Sequence, residues 1–176
     1  MNAAHLQRVT HESLAYYRDG LVTLLLDAVR NGASVGFLDD IDEAQAAQYF
    51  DEVKARLASG ELLLWVVAQG QEVLASVQLG LCLKPNGLNR AEVQKLLVHS
   101  RARRRGLGQQ LMKALEQAAR PLRRGMLYLD TEAGSEAEAF YRALGYAKAG
   151  EIPDYACGPS GVYRATALYY KVLASA

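Results

Sequence analysis

The nine residues Arg103-Arg104-Arg105-Gly106-Leu107-Gly108-Gln109-Gln110-Leu111 follow closely on an apolar run that ends Lys95-Leu96-Leu97-Val98. A strand that feeds a basic, glycine-containing turn and then a helix confines the chain to folds mixing helices with a sheet. The first N–H groups of a helix have no intrahelical partners and carry the positive end of its dipole, and glycine lets main chain approach an anion closely. Such a turn suits a pyrophosphate, which makes a nucleotide-bearing ligand the first expectation. A phosphate-binding P-loop would need Gly-Lys-Ser or Gly-Lys-Thr at its end, and a dinucleotide fingerprint would need a third glycine where this chain has Leu111. Both are disfavoured.

With 176 residues, a net charge of +1 and a pI near 7.8, the chain suits one domain with no global field toward nucleic acid or membranes. Its basic charge is local, between Arg101 and Arg105, and has no aromatic platform beside it, so nucleic acid is not an expected partner. The longest strongly apolar stretch, Leu62 to Ala68, is too short to span a bilayer. Cys82 and Cys157 have no metal-ligand spacing, and His5, His11 and His99 are scattered, so no metal is expected. No secretory leader pattern opens the chain, and a reducing cytoplasm fits this cysteine usage.

Periodicity predicts alternating elements. A short strand over 6–10 precedes a helix from about Glu12 to Asn31, a Gly32 to Gly36 loop, and a second helix from about Asp42 to Ala58. Strands over 62–68 and 73–83 form a hairpin, and a turn-rich Lys84 to Arg90 connection enters a strand over 91–98. After the basic turn, Leu107, Leu111, Met112, Leu115, Ala118 and Ala119 make one apolar helical stripe. A strand over 126–131, a short helix N-capped by Ser135 and C-capped by Gly145, and strands over 146–151 and 165–172 complete the order.

The pattern Arg103-x-x-Gly106-x-Gly108 after Leu96-x-Val98 resembles the acetyl-CoA signature of the GCN5-related N-acetyltransferase (GNAT) superfamily. Ser135-x-x-x-Ala139-Phe140-Tyr141-x-x-Leu144-Gly145-Tyr146 resembles that superfamily's other diagnostic stretch, at the required distance downstream. Many members have a proline after the Leu-x-Val strand end, where this chain has His99-Ser100. The resemblance implies a single three-layer α/β (α+β) domain over 1–176, with a mixed, mostly antiparallel sheet splayed at the cofactor site. It also implies that acetyl-CoA is the acetyl donor and a small-molecule amine the acceptor, and it leaves a homodimer open.

The same resemblance places the donor on Leu96, Leu97, Val98, Arg103, Arg104, Arg105, Gly106, Leu107, Gly108, Gln109 and Ser135, held mainly by main-chain N–H groups. Two glycines are expected because a Cβ would block the approach. Glu92 and Asp130 match paired acidic residues that remove the amine's proton, and Tyr141 matches a tyrosine acting as general acid. Each has a plainer reading. Glu92 could pair with Lys95 or Arg90, Asp130 could cap the next turn, and Tyr141 could seal a helix against the sheet.

The runs 32–37 (GASVGF), 84–96 (KPNGLNRAEVQKL) and 129–135 (LDTEAGS) resemble a toxin-resistance member of the superfamily, implying a β-lactam amino acid as acceptor. Other amino acids, or a non-catalytic acetyl-CoA sensor, are the alternatives. Acceptor contacts are expected from Phe37, from Asn89 and Arg90, and from a Tyr155 to Tyr163 loop closing over the cleft, with Arg90 as the cation for an acceptor carboxylate.

Overall fold

From Leu62 to Ala68 every residue is buried, so this strand is covered on both faces. Alternation divides it. Leu63, Trp65 and Val67 enter one apolar cluster, and Leu62, Leu64, Val66 and Ala68 enter another on the opposite side. The computed structural model, which describes residues 3–173, therefore has three layers with a sheet in the middle.

The elements are β1 (His5–Val9), α1 (Leu14–Arg30), α2 (Glu43–Ala58), β2 (Leu62–Gln69), β3 (Glu72–Leu81), β4 (Arg90–Val98), α3 (Leu107–Ala119), β5 (Met126–Glu132), α4 (Glu136–Ala143), β6 (Ala147–Cys157) and β7 (Tyr163–Val172). This is the order that the sequence predicts. The sheet runs β1-β2-β3-β4-β5-β7-β6, and only β4 and β5 are parallel neighbours, joined through the crossover helix α3. Helices α1 and α2 cover one face, and α3 and α4 the other.

Local chemistry sets the helix limits. Asp42 accepts from the Gln45 N–H (2.7 Å) while the Gln45 side chain accepts from the Asp42 N–H (3.0 Å), a reciprocal cap that fixes the start of α2. Leu111, Met112 and Leu115 of α3 are fully buried, each contributing about 1.5–3 kcal/mol relative to exposure. Gly145, with φ +85°, terminates α4 as predicted.

Two features position the site. Pairing of β4 with β5 is confined to Arg90, Ala91 and Glu92 against Met126, Leu127 and Tyr128, although both strands continue further. Past Glu92 they diverge and open a wedge in the sheet. The second is a bulge in β4: Gln94 faces Gln78 and Leu97 faces Ser76, so Lys95 and Leu96 stand opposite the single residue Val77. Lys95 has φ +48°, which costs a residue with a side chain about 1–3 kcal/mol.

The C-terminal hairpin differs from expectation. The strands extend to Cys157 and from Tyr163, so Tyr155 belongs to β6 and only residues 158–162 connect the two. Pro153 reads as a loop residue but is tolerated here, because β6 is an edge strand and its register skips between Ile152 and Ala156.

Candidate active site

The wedge between β4 and β5 is a cleft of about 590 Å³. Its floor and walls include Glu92 to Leu97, Asp130 to Glu132, the loop Gly32 to Gly36, Tyr49 and Arg56 of α2, Ser135 and Tyr141 at α4, and residues of β6 and β7. Glu92 and Asp130, far apart in sequence, thus face one cavity.

Glu92 is half-buried and accepts from Gln94 Nε2 at 2.7 Å. Neither Lys95 nor Arg90 lies within ion-pair distance of it among the described residues, so the simple surface pair does not form. Asp130 is exposed at the cleft and accepts from Thr166 Oγ1 at 2.9 Å, with the Thr131 carbonyl 3.0 Å from the same hydroxyl. Its partner is therefore on β7 rather than in the following turn.

Tyr141 is buried, with its ring edge-on to Phe140 (5.3 Å) and Tyr146 (5.8 Å). Burial, helped by the Asp130 carboxylate, pushes its phenol pKa upward. It stays neutral at physiological pH and is a donor. Helix α4 is held by Glu138, a buried carboxylate that accepts from Tyr169 on β7, from the Gly134 N–H (2.7 Å) and from Lys148 (3.1 Å). The Tyr169 hydroxyl and the Gly134 N–H, with help from Lys148, hold the Glu138 pKa down at about 2.

At the far end of β4 the basic turn is exposed through Arg103, Arg104, Arg105 and Gly106, and α3 starts without a side-chain cap. Gly106 has φ +74° and no protein atom within 4 Å of where a Cβ would stand, so its backbone conformation by itself favours glycine there. Gly108 differs: an added Cβ would lie 3.3 Å from Phe140, making it a packing glycine between α3 and α4. The clearance expected at both glycines concerns a bound ligand, and to it the protein adds a conformational need at Gly106 and a packing need at Gly108. Uncapped N–H groups beside three arginines fit a pyrophosphate.

Sequence reasoning missed the anchor of this turn. Asp27 on α1 accepts from the Ser100 N–H (2.8 Å) and hydroxyl (2.7 Å), and His99 Nδ1 lies 3.5 Å from it. Those contacts hold the Asp27 pKa below the usual carboxylate range despite the opposing effect of burial. His99-Ser100, in place of a proline, is thus a tethering pair. Asp27→Ala is expected to weaken binding of a pyrophosphate-bearing ligand about three- to tenfold, as calorimetry would show, because charge-assisted bonds of roughly 1.5–3 kcal/mol no longer hold the turn.

Not every expected residue reaches the cleft. Phe37 stacks edge-on against Tyr49 (5.4 Å) and buttresses a lining residue without lining the cleft itself. Asn89 is engaged elsewhere, its side chain accepting from the Gly125 N–H (3.1 Å) and its carbonyl from the Met126 N–H (3.0 Å). Arg90 packs under the Gly87 turn, close to Tyr128. Buried Arg124 donates to the Cys82 (2.8 Å) and Leu88 carbonyls, pinning this connection to the start of β5, away from the cleft. Ser135 lines the cleft and occupies the N-cap position of α4 as expected, but its hydroxyl donates to the Glu132 carbonyl (2.6 Å) and makes no capping bond. The lining cations are Arg56, Lys95 and Arg164, and sequence reasoning assigned none of them to the site.

The sequence profile of the Acetyltransferase (GNAT) family matches residues 26–146, which carry both the wedge and the basic turn. The chain belongs to the GNAT acetyltransferase family. As a GNAT enzyme it uses acetyl-CoA. Solved structures share the GNAT architecture at low identity. A ribosomal-protein-alanine N-acetyltransferase from Brucella melitensis aligns over 96% of this chain and 99% of its own, with 21% identity and a TM-score of 0.74. An N-acetyltransferase from Staphylococcus aureus Mu50 aligns over 97% and 99%, with 20% identity and a TM-score of 0.77. The Salmonella typhimurium protein yncA, solved with its cofactor acetyl-CoA, aligns over 98% and 95%, with 16% identity and a TM-score of 0.75. Among the described residues no helix is long and apolar enough to cross a membrane, and no group of side chains could hold a metal ion.

Proposed function

We propose that the cleft transfers the acetyl group of acetyl-CoA directly to the amine of a small molecule, with a tabtoxin-type β-lactam amino acid as the acceptor. The observation that carries the reaction is the convergence of Glu92 and Asp130, from two diverging strands, on a cavity that Tyr141 also lines. The acceptor reading is supported by the three runs over 32–37, 84–96 and 129–135, which resemble tabtoxin resistance protein.

An amine is mostly protonated near neutral pH, so a carboxylate first takes its proton, Glu92 directly and Asp130 in support. The amine nitrogen then forms a bond to the thioester carbonyl carbon, whose oxygen gains charge. Past Glu92, β4 has no register partner on its β5 side, and main-chain N–H groups near Leu97 and Val98 are the donors proposed for that oxygen. The C–S bond breaks and thiolate leaves, and the nitrogen gives its second proton to solvent as the amide forms. A phenol with a raised pKa is a poor source of a full proton for a thiol of ordinary pKa near 8.5, so Tyr141 hydrogen-bonds the thiolate, which is protonated on release. Leu96, Arg103, Arg104, Arg105, Leu107 and Gln109 hold the donor with Gly106, and Ser135 borders it.

The test is release of CoA thiol from acetyl-CoA with tabtoxinine-β-lactam, phosphinothricin, common amino acids and polyamines as acceptors. Turnover selective for the β-lactam is expected. Turnover with a different amine would keep the chemistry and displace the acceptor, and acetyl-CoA binding with no turnover would indicate a sensor.

A further inference from the structure

Cleft charges are distributed unevenly. Arg164 lies 3.3 Å from Glu132, so that cation is paired. Arg56 and Lys95 have no carboxylate within 4 Å among the described residues, although both line the same cavity. Lys95 is half-buried, with Nζ 5.7 Å from the Tyr49 ring centroid. Tyr49 is fixed in turn by a bond from its hydroxyl to Gln78 (3.1 Å) and by Phe37. Arg56, in the last turn of α2, brings Nη2 within 3.7 Å of the Cβ position of Gly80, beside Gln94, the residue that bonds Glu92.

Two cations held in one partly desolvated cavity are unfavourable without an anion between them. Burial lowers the Lys95 pKa, the Asp130 and Glu92 carboxylates across the cleft oppose that, and Arg56 adds a smaller repulsion. The bulge that aims Lys95 at the cavity also strains its backbone. This pair is separate from the pyrophosphate turn, since Gln94, next to Arg56, lies three ladder steps before Val98, about 10 Å along the strand.

Building on the acetyl-transfer reading above, we propose that Arg56 and Lys95 bind the carboxylate of the acceptor, so that the enzyme acts on amines bearing a nearby carboxylate. The acceptor lies with its anionic end on these two cations and its ammonium end toward Glu92 and Asp130. Opposite charges lining one cleft match a zwitterion and reject a simple amine. Arg90, the cation expected from sequence, is engaged at the Gly87 turn and takes no part.

CoA release is measured for L-lysine, L-ornithine, L-tyrosine and tabtoxinine-β-lactam, with cadaverine, putrescine and tyramine as decarboxylated partners. Carboxylate-bearing acceptors are expected to exceed their partners by about tenfold or more in kcat/KM. In Arg56→Gln and Lys95→Gln that ratio collapses through the acceptor KM, while the KM for acetyl-CoA holds. Equal rates within every pair, or a ratio unchanged in both variants, would overturn the proposal and leave acetyl transfer standing. If no amine releases CoA, calorimetry with the N-acetylated forms of these amino acids decides. Binding to wild type that both variants lose supports the anion site and removes only the acetyl-transfer reading, and no binding to wild type overturns the anion site.

Discussion

Glu92→Gln is expected to lower kcat about 10²- to 10⁴-fold while leaving acetyl-CoA affinity unchanged, the range that a positioned general base contributes. The amide keeps the shape of the side chain and can still meet Gln94, so the variant should fold normally; what it loses is the capacity to accept a proton. Asp130→Asn should cost less. Asp130 is exposed, where solvent and salt screen its charge, and Glu92 is half-buried beside the point where β4 leaves β5. Single-turnover kinetics with saturating donor would separate the chemical step from binding. Wild-type kcat in Glu92→Gln would remove it from the mechanism.

A second large effect concerns stability. Glu138 has its pKa held down at about 2, against an ordinary 4.5, by Tyr169, the Gly134 N–H and Lys148. A depressed carboxyl pKa stabilises the fold at pH values above the unfolded value. That stabilisation fades as pH falls from about 4.5 toward 2, where the folded carboxyl gains its proton. Glu138→Gln should therefore cost about 2–3 kcal/mol near pH 7, the loss of a charged partner from several bonds. For a chain of this size that lowers Tm by roughly 4–12 °C. The deficit should shrink as the pH approaches 2, where the wild-type carboxyl is about half protonated. Thermal melts of both proteins between pH 2 and 7 would show converging curves, and a deficit independent of pH would mean that Glu138 acts only through packing.

Much of this fold is legible in the residues because each element carries a local cause. The α3 stripe of Leu111, Met112 and Leu115 has helical spacing, Asp42 and Gln45 write a cap, and Gly145 marks a helix end. The C-terminal hairpin departs from the sequence pattern because Pro153 marks a break only if the strand has neighbours on both sides, and its edge position is a tertiary fact.

The site was legible in part for the same reason. Gly106 and the arginines announce a helix start, and a resemblance pointed to Glu92 and Asp130 as a pair. Arg90 drew attention as a cation beside Glu92 in the chain, yet its guanidinium goes to the Gly87 turn. Lys95 and Arg56 reach the cavity through a bulge and a helix end from distant parts of the sequence. Asp27 carries no local signal at all, since its partner Ser100 lies 73 residues away.

The bulge at Lys95 and Leu96 also divides β4 into two reading frames. Before it, odd-numbered Ala91 and Val93 pack under α3, whereas odd-numbered Leu97 packs on the opposite side, with α1 and α2. One strand thus spells its inward residues in two phases, and the extra residue is the shift between them. Removing a single residue at 95–96 would leave one residue opposite Val77, with Gln94 still on Gln78 and Leu97 still on Ser76, and would join the two frames into one unbroken ladder. Leu97 and Val98 would keep their layers, and what would vanish is the bulge that holds Lys95 at positive φ in the cleft wall, a deletion that merges two reading frames and leaves Glu92, Asp130 and Tyr141 in the sequence unaltered.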